Sequence, residues 1–142
     1  MTNWKETLKC WVFSLTKVPL IICCLPRINH IDAQACKLTI PLNYLTKNHL
    51  KAMYLGSLMI GADLASGFLT LYISKLSDKP VKLVFKSSHA KYLRRAHSDV
   101  TFECNDGPLI HQFIDTCMSQ QKRVHTAITV TATDKDQEVV AT

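Results

Sequence analysis

Apolar residues gather most densely in the middle of the chain, where Leu55 to Ile73 carries one charged group, Asp63. That density predicts a long helix over about residues 51–76. A helix apolar all round belongs in a core or a membrane. A carboxylate in such a helix is costly unless it is paired, hydrogen-bonded or protonated, so Asp63 is the first candidate for chemistry. Before this helix, Trp4, Leu8, Trp11, Val12 and Leu15 recur at helical spacing, with Lys5, Glu6 and Lys9 on the other side. They predict an amphipathic helix over residues 1–18, ended by Pro19. Its polar face is only mildly basic, so the apolar stripe is expected to pack on the domain's own sheet rather than on a membrane.

Alternation marks the strands. Leu38 and Ile40 alternate with Lys37 and Thr39 between Ala35 and Leu42, and the polar stretch Tyr44 to Lys51 reads as a loop. After the turn Ser77-Asp78-Lys79-Pro80, a strand is expected from Val81 to Leu93, and another from Ser98 to Cys104. Leu109, Ile110, Phe113, Ile114 and Cys117 form the apolar face of a short helix. Val124 to Thr133 and Gln137 to Ala141 complete the set as β-branched, alternating strands. One strand, one long helix and then several antiparallel strands describe an α+β domain in which a sheet wraps around a central helix. The whole chain, residues 1–142, reads as one such domain with an extra N-terminal helix.

Composition narrows the function. Of 142 residues, 47% are apolar and 20% charged, which excludes a disordered chain. Seventeen Lys and Arg against eleven Asp and Glu leave +6, a balance that suits an anionic partner. Nucleic acid is not expected as that partner, because no helix-turn-helix or basic–aromatic alternation accompanies the charge. The six cysteines form no C-x-x-C pair and lie apart from the histidines, so no metal site is expected. They read as reduced core residues of a cytoplasmic protein. The run Val18 to Leu25 is too short and too interrupted by proline for a signal peptide. Leu55 to Ile73 is nearly long enough to span a bilayer, but Asp63, three glycines and three hydroxyl side chains make a soluble core helix the expected reading, with no membrane span.

Three motifs tie the pattern to a known family: Pro19-Leu20, Asn48-His49 before the central helix, and Gly61-Ala62-Asp63-Leu64-Ala65-Ser66-Gly67 within it. With them the chain resembles a branch of the hotdog-fold acyl-thioesterase superfamily, from about residue 17 to the end. The phenylacetyl-CoA-type members carry Asn, then His-Gly-Gly, then a helical Asp nine residues after the His. Aligned on Asp63, Tyr54 stands at the His position, Leu55 and Gly56 at the two glycines, and Asn48 near the Asn. The resemblance implies that Asp63 acts as base or nucleophile, that the Leu55 backbone amide polarises the thioester carbonyl, and that Asn48 assists. It places Tyr54, Gly56 and His49 beside the substrate, and the basic residues Lys86, Arg94 and Arg95 near coenzyme phosphates. It implies a cofactor-free homodimer, with a tetramer as the alternative, whose two sites lie between subunits. The expected substrate is an acyl-CoA or an acyl-carrier-protein thioester. With Leu55 in a glycine position, a non-catalytic acyl-binding protein is the competing reading. Lys91, with Lys122 and Arg123, joins this basic cluster, for any residue of which a solvated face is the alternative, and His89, His97, His111 and His125 read as structural.

Overall fold

The computed structural model describes residues 2–142. Its elements run in the order α1 (Trp4–Lys17), α2 (Pro19–Ile22), β1 (Arg27–Ile31), β2 (Cys36–Ile40), α3 (Leu55–Leu76), β3 (Val100–Cys104), α4 (Gly107–Gln120), β4 (Thr131–Thr133) and β5 (Val139–Ala141). The five strands form one antiparallel sheet in the order β1-β2-β3-β4-β5. Leu38 pairs with Phe102, and Phe102 with Ala132, so one face of the sheet carries the alternating apolar set. That face, with Cys36, Leu38, Ile40, Val100, Phe102 and Cys104 all buried, packs on α3. On the opposite face Thr39 hydrogen-bonds Thr101 at 3.0 Å and Lys37 meets Glu103 at 3.3 Å. This antiparallel sheet around a long helix is the hotdog fold, as expected.

The central helix begins at Leu55 rather than near residue 51. Asn48 ends the preceding loop by accepting from the Leu50 and Ala52 amides at 2.9 and 3.2 Å, and Lys51 takes a left-handed conformation. That turn cannot be continued as a helix. Nor is α3 buried all round: Leu64, Ala65, Leu69 and Ile73 are buried, whereas Leu55, Asp63 and Leu71 are exposed. Two glycines mark close approaches. A Cβ at Gly61 would lie 2.3 Å from the Phe102 ring, and one at Gly107 would lie 2.2 Å from the Ala33 carbonyl oxygen. The first lets helix and sheet touch; the second seats the start of α4 against the turn between β1 and β2.

Two expected strands are incomplete. Residues 81–90 and 124–130 carry no assigned strand, and only Thr131–Thr133 of the Val124–Thr133 stretch joins the sheet. Lys91 exchanges both backbone hydrogen bonds with Thr142 (2.8 and 3.0 Å), and Ala132 on the other side is registered with Ala141, so β5 runs between Lys91 and β4. On the other side of β4 the Glu103–Thr131 register sets 124–130 opposite residues beyond Cys104, where the chain turns into α4. Residues 83–90 and 124–128 line a cavity instead of joining a ladder. Strand β1, by contrast, has no counterpart in the expected elements. Arg-Ile-Asn-His-Ile is too polar to show alternation, and only Ile28 within it is buried.

The N-terminal helix forms where expected but turns the other way. Its buried residues are Thr7, Cys10 and Ser14, while Trp4, Leu8, Val12 and Leu15 point into solvent. The reason is the free edge of β1. The Ile28 amide donates to Thr7 Oγ1 at 2.9 Å, the Asn3 amide donates to the Ile28 carbonyl at 2.7 Å, and Trp11 Nε1 donates to the Pro26 carbonyl at 2.8 Å. An edge strand leaves unpaired backbone groups that need polar partners. Here α1 supplies them, which fixes its Thr7, Cys10 and Ser14 side inward.

Candidate functional site

A cavity of about 630 Å³ lies between α3, the two unpaired stretches and the inner face of the sheet. Leu58, Met59, Ala62 and Ser66 of α3 form one wall, with Phe102 from β3 and Phe113 from α4 beside it. The opposite wall comes from residues 83–90 and 124–130. Asp63 lines this cavity and is the only acidic side chain to do so among the described residues. It sits in the middle of α3, two residues beyond Gly61, whose close approach to Phe102 holds this part of the helix on the sheet. Partial burial among apolar neighbours pushes its carboxyl pKa above the ordinary value. A carboxylate raised in this way holds a proton more readily, which suits it to accept one from water.

Leu55 opens α3, and the amides of Leu55, Gly56 and Ser57 have no hydrogen-bond partner among the described residues. Such free donors at a helix N-terminus favour a developing negative charge. Leu55 and Asp63 are eight residues apart on one helix, roughly 12 Å along its axis at 1.5 Å per residue. A single carbonyl group cannot reach both. Tyr54 stands half-exposed before the helix, its ring packed over Gly56 so closely that a Cβ there would come within 2.5 Å.

The other expected site residues divide. Lys86 lines the cavity, while Arg95 is exposed and lies outside the lining. Arg94 is engaged elsewhere, donating to Asp134 at 3.1 Å and to Glu138 at 3.0 Å. Burial pushes the Asp134 carboxyl up, but bonds from the Glu138 and Asp136 amides and from Arg94 bring it below the usual value. Arg94 thus clamps the turn between β4 and β5. The Asn48 side chain is occupied in its own loop, and His49 is exposed there, outside the lining. His89 and His125, read as structural from the sequence, both line the cavity, as do Phe102 and Phe113. Periodicity marked these four only as parts of a strand or helix face, and nothing local pointed them at a cavity.

The cysteines take no part. Burial raises Cys10 to about 11 and Cys36 to about 12, which leaves both thiols protonated and inert. No group of three potential metal ligands occurs among the described residues.

The family model for DUF4442, a domain of unknown function, matches residues 9–142. Among curated proteins, none matches the chain in sequence. Solved structures share the fold. A protein of unknown function from Pseudomonas aeruginosa, called a probable thioesterase, superposes with a TM-score of 0.77 at 22% identity, covering 95% of this chain and 89% of that one. One of unknown function from Chlorobaculum tepidum gives 0.81 at 16% identity, over 99% and 91% of the two chains. A thioesterase from Haemophilus influenzae gives 0.63 at 11% identity, over 92% and 81%.

Proposed function

The chain belongs to the DUF4442 family, and from its own geometry we propose that it hydrolyses acyl thioesters, with Asp63 as the catalytic carboxylate. The observation that carries this reading is one acidic side chain with a raised pKa, Asp63, on the wall of a cavity whose other lining is largely apolar with Lys86, His89 and His125 at its polar positions. The acyl group occupies the cavity against Phe102 and Phe113, and the carrier, coenzyme A or an acyl-carrier protein, extends past Lys86. Asp63 takes a proton from water as the water oxygen bonds to the carbonyl carbon. The resulting oxyanion is held by the free Leu55 amide. The C–S bond then breaks, and the departing thiolate receives the proton that Asp63 took.

The roughly 12 Å between Leu55 and Asp63 along α3 supports a site in which the two groups serving one carbonyl come from different subunits, as the family resemblance implies. The active species is therefore a homodimer, with exposed Leu55, Leu71 and Phe85 in the contact. Fold relatives called thioesterases support hydrolysis as the reaction class. A second reading is supported by Leu55 itself: its side chain stands at the start of the free amides, where bulk hinders a carbonyl. On that reading the protein binds acyl groups without hydrolysing them.

Hydrolysis measured across acyl-CoA and acyl-carrier-protein substrates of graded chain length separates the two. Wild-type turnover is expected, with Asp63→Asn folding and binding acyl-CoA but losing roughly 100-fold or more in rate. The acid limb of the wild-type pH profile should lie above the ordinary aspartate range, because Asp63 must be ionised to act. Acyl-CoA binding without turnover in wild type selects the binding-protein reading.

A further inference from the structure

Helix α1 presents its apolar side to water. Trp4, Leu8, Val12 and Leu15 are 62%, 61%, 54% and 62% exposed, and they follow one another at spacings of four, four and three residues. At 1.5 Å per residue the helix runs for about 21 Å, and Val18 and Leu20 of the next turn are exposed at its end. Lys5 and Lys9 fall along one border of this stripe on a 3.6-residue helix, while Lys17 ends the helix on the other side. Three lysines stand against one acid, Glu6, which Lys9 meets at 2.7 Å. The opposite side cannot be exchanged for the apolar one, because Thr7, Asn3 and Trp11 are bonded to the β1 edge and its approach. An exposed apolar stripe of this extent marks a contact surface.

We propose that α1 docks the protein on an anionic lipid surface, lying parallel to it with Trp4, Leu8, Val12 and Leu15 among the headgroups and acyl-chain ends. A tryptophan at one end, leucines along the stripe and lysines at its border are the composition of an interfacial helix. Fourteen residues are too few to span a bilayer, so the helix lies on it. The chain's net charge of +6 adds long-range attraction to an anionic surface. A second copy on the same stripe is disfavoured. A two-fold contact between two α1 helices would set lysine rows of like sign side by side.

The test is flotation of the full chain with vesicles of phosphatidylcholine containing 30% phosphatidylglycerol, or of phosphatidylcholine alone. Binding is expected to the anionic vesicles and to weaken with salt, with a blue shift of tryptophan emission that Trp4→Phe removes. The double variant Leu8→Asn/Leu15→Asn should lose binding about tenfold or more, given the apolar area withdrawn. Because both side chains are exposed, its circular dichroism and thermal midpoint should stay near wild type, which separates lost docking from lost fold. Lys5→Glu/Lys9→Glu should weaken binding to anionic vesicles only. Absence of wild-type binding at low salt overturns the proposal. So does binding that the Leu8/Leu15 variant leaves unchanged, or a fall in oligomeric mass in that variant, which would assign the stripe to a second copy.

Discussion

Asp63 has an energetic signature separate from any activity. Its folded pKa lies above its unfolded value, so the native chain binds the proton more tightly than the unfolded one. Below the ordinary aspartate range both states are protonated and the residue costs nothing. As pH rises through the window between the unfolded and the raised folded pKa, wild type loses stability relative to an amide at that site. Asp63→Asn should therefore be slightly more stable than wild type at neutral pH, with the gain fading at acid pH; thermal midpoints from pH 3 to 7.5 measure it. A difference independent of pH would remove the desolvation argument. Asp63 was legible because a lone charge stands out in an apolar run. Arg94 was not, since its partners Asp134 and Glu138 lie some forty residues away and only the fold brings them to it. Asn48 shows the same limit in reverse: its motif was visible, but its carboxamide serves its own turn.

Whole elements were legible in proportion to how much of their fate is local. The central helix follows from hydropathy, and β2 and β3 from alternation, because each buries the face its sequence displays. Helix α1 defied its own amphipathicity because an edge strand invisible in the sequence claimed the side that carries Thr7, Cys10 and Ser14. Once β1 is known, the orientation is forced by Thr7, whose hydroxyl both accepts from the Ile28 amide and faces the Ile28 carbonyl at 3.4 Å. Thr7→Val preserves shape and removes that partner from a buried N–H. It should cost about 1–3 kcal/mol in chemical denaturation, the penalty of an unsatisfied buried donor. A neutral result would mean that α1 and β1 are held by apolar contact alone. The strand expected over 124–133 forms only at Thr131–Thr133, because beyond Cys104 β3 gives way to α4 and leaves 124–130 no ladder partner on that side, while 81–90 joins no strand.

At the scale of the molecule, one chain leaves Tyr54, Leu55, Leu71, Val84 and Phe85 exposed at once. A surface so apolar calls for cover, and the division of the proposed site between two helices calls for the same. Light scattering at micromolar concentration should give the mass of a dimer, or of a tetramer built from it; a monomer would leave Leu55 and Asp63 without a common substrate. The unpaired stretches that wall the cavity carry a consequence of another kind. Backbone with no ladder partner is readily drawn into a protease active site, and Lys82 and Lys86 in the first stretch, with Lys122 and Arg123 just before the second, are exposed. Trypsin should nick the chain there long before it cuts β2 or β3. A ligand seated between the two walls would shield them together, so the rate of nicking becomes a gauge of cavity occupancy that works even for a compound the protein never turns over.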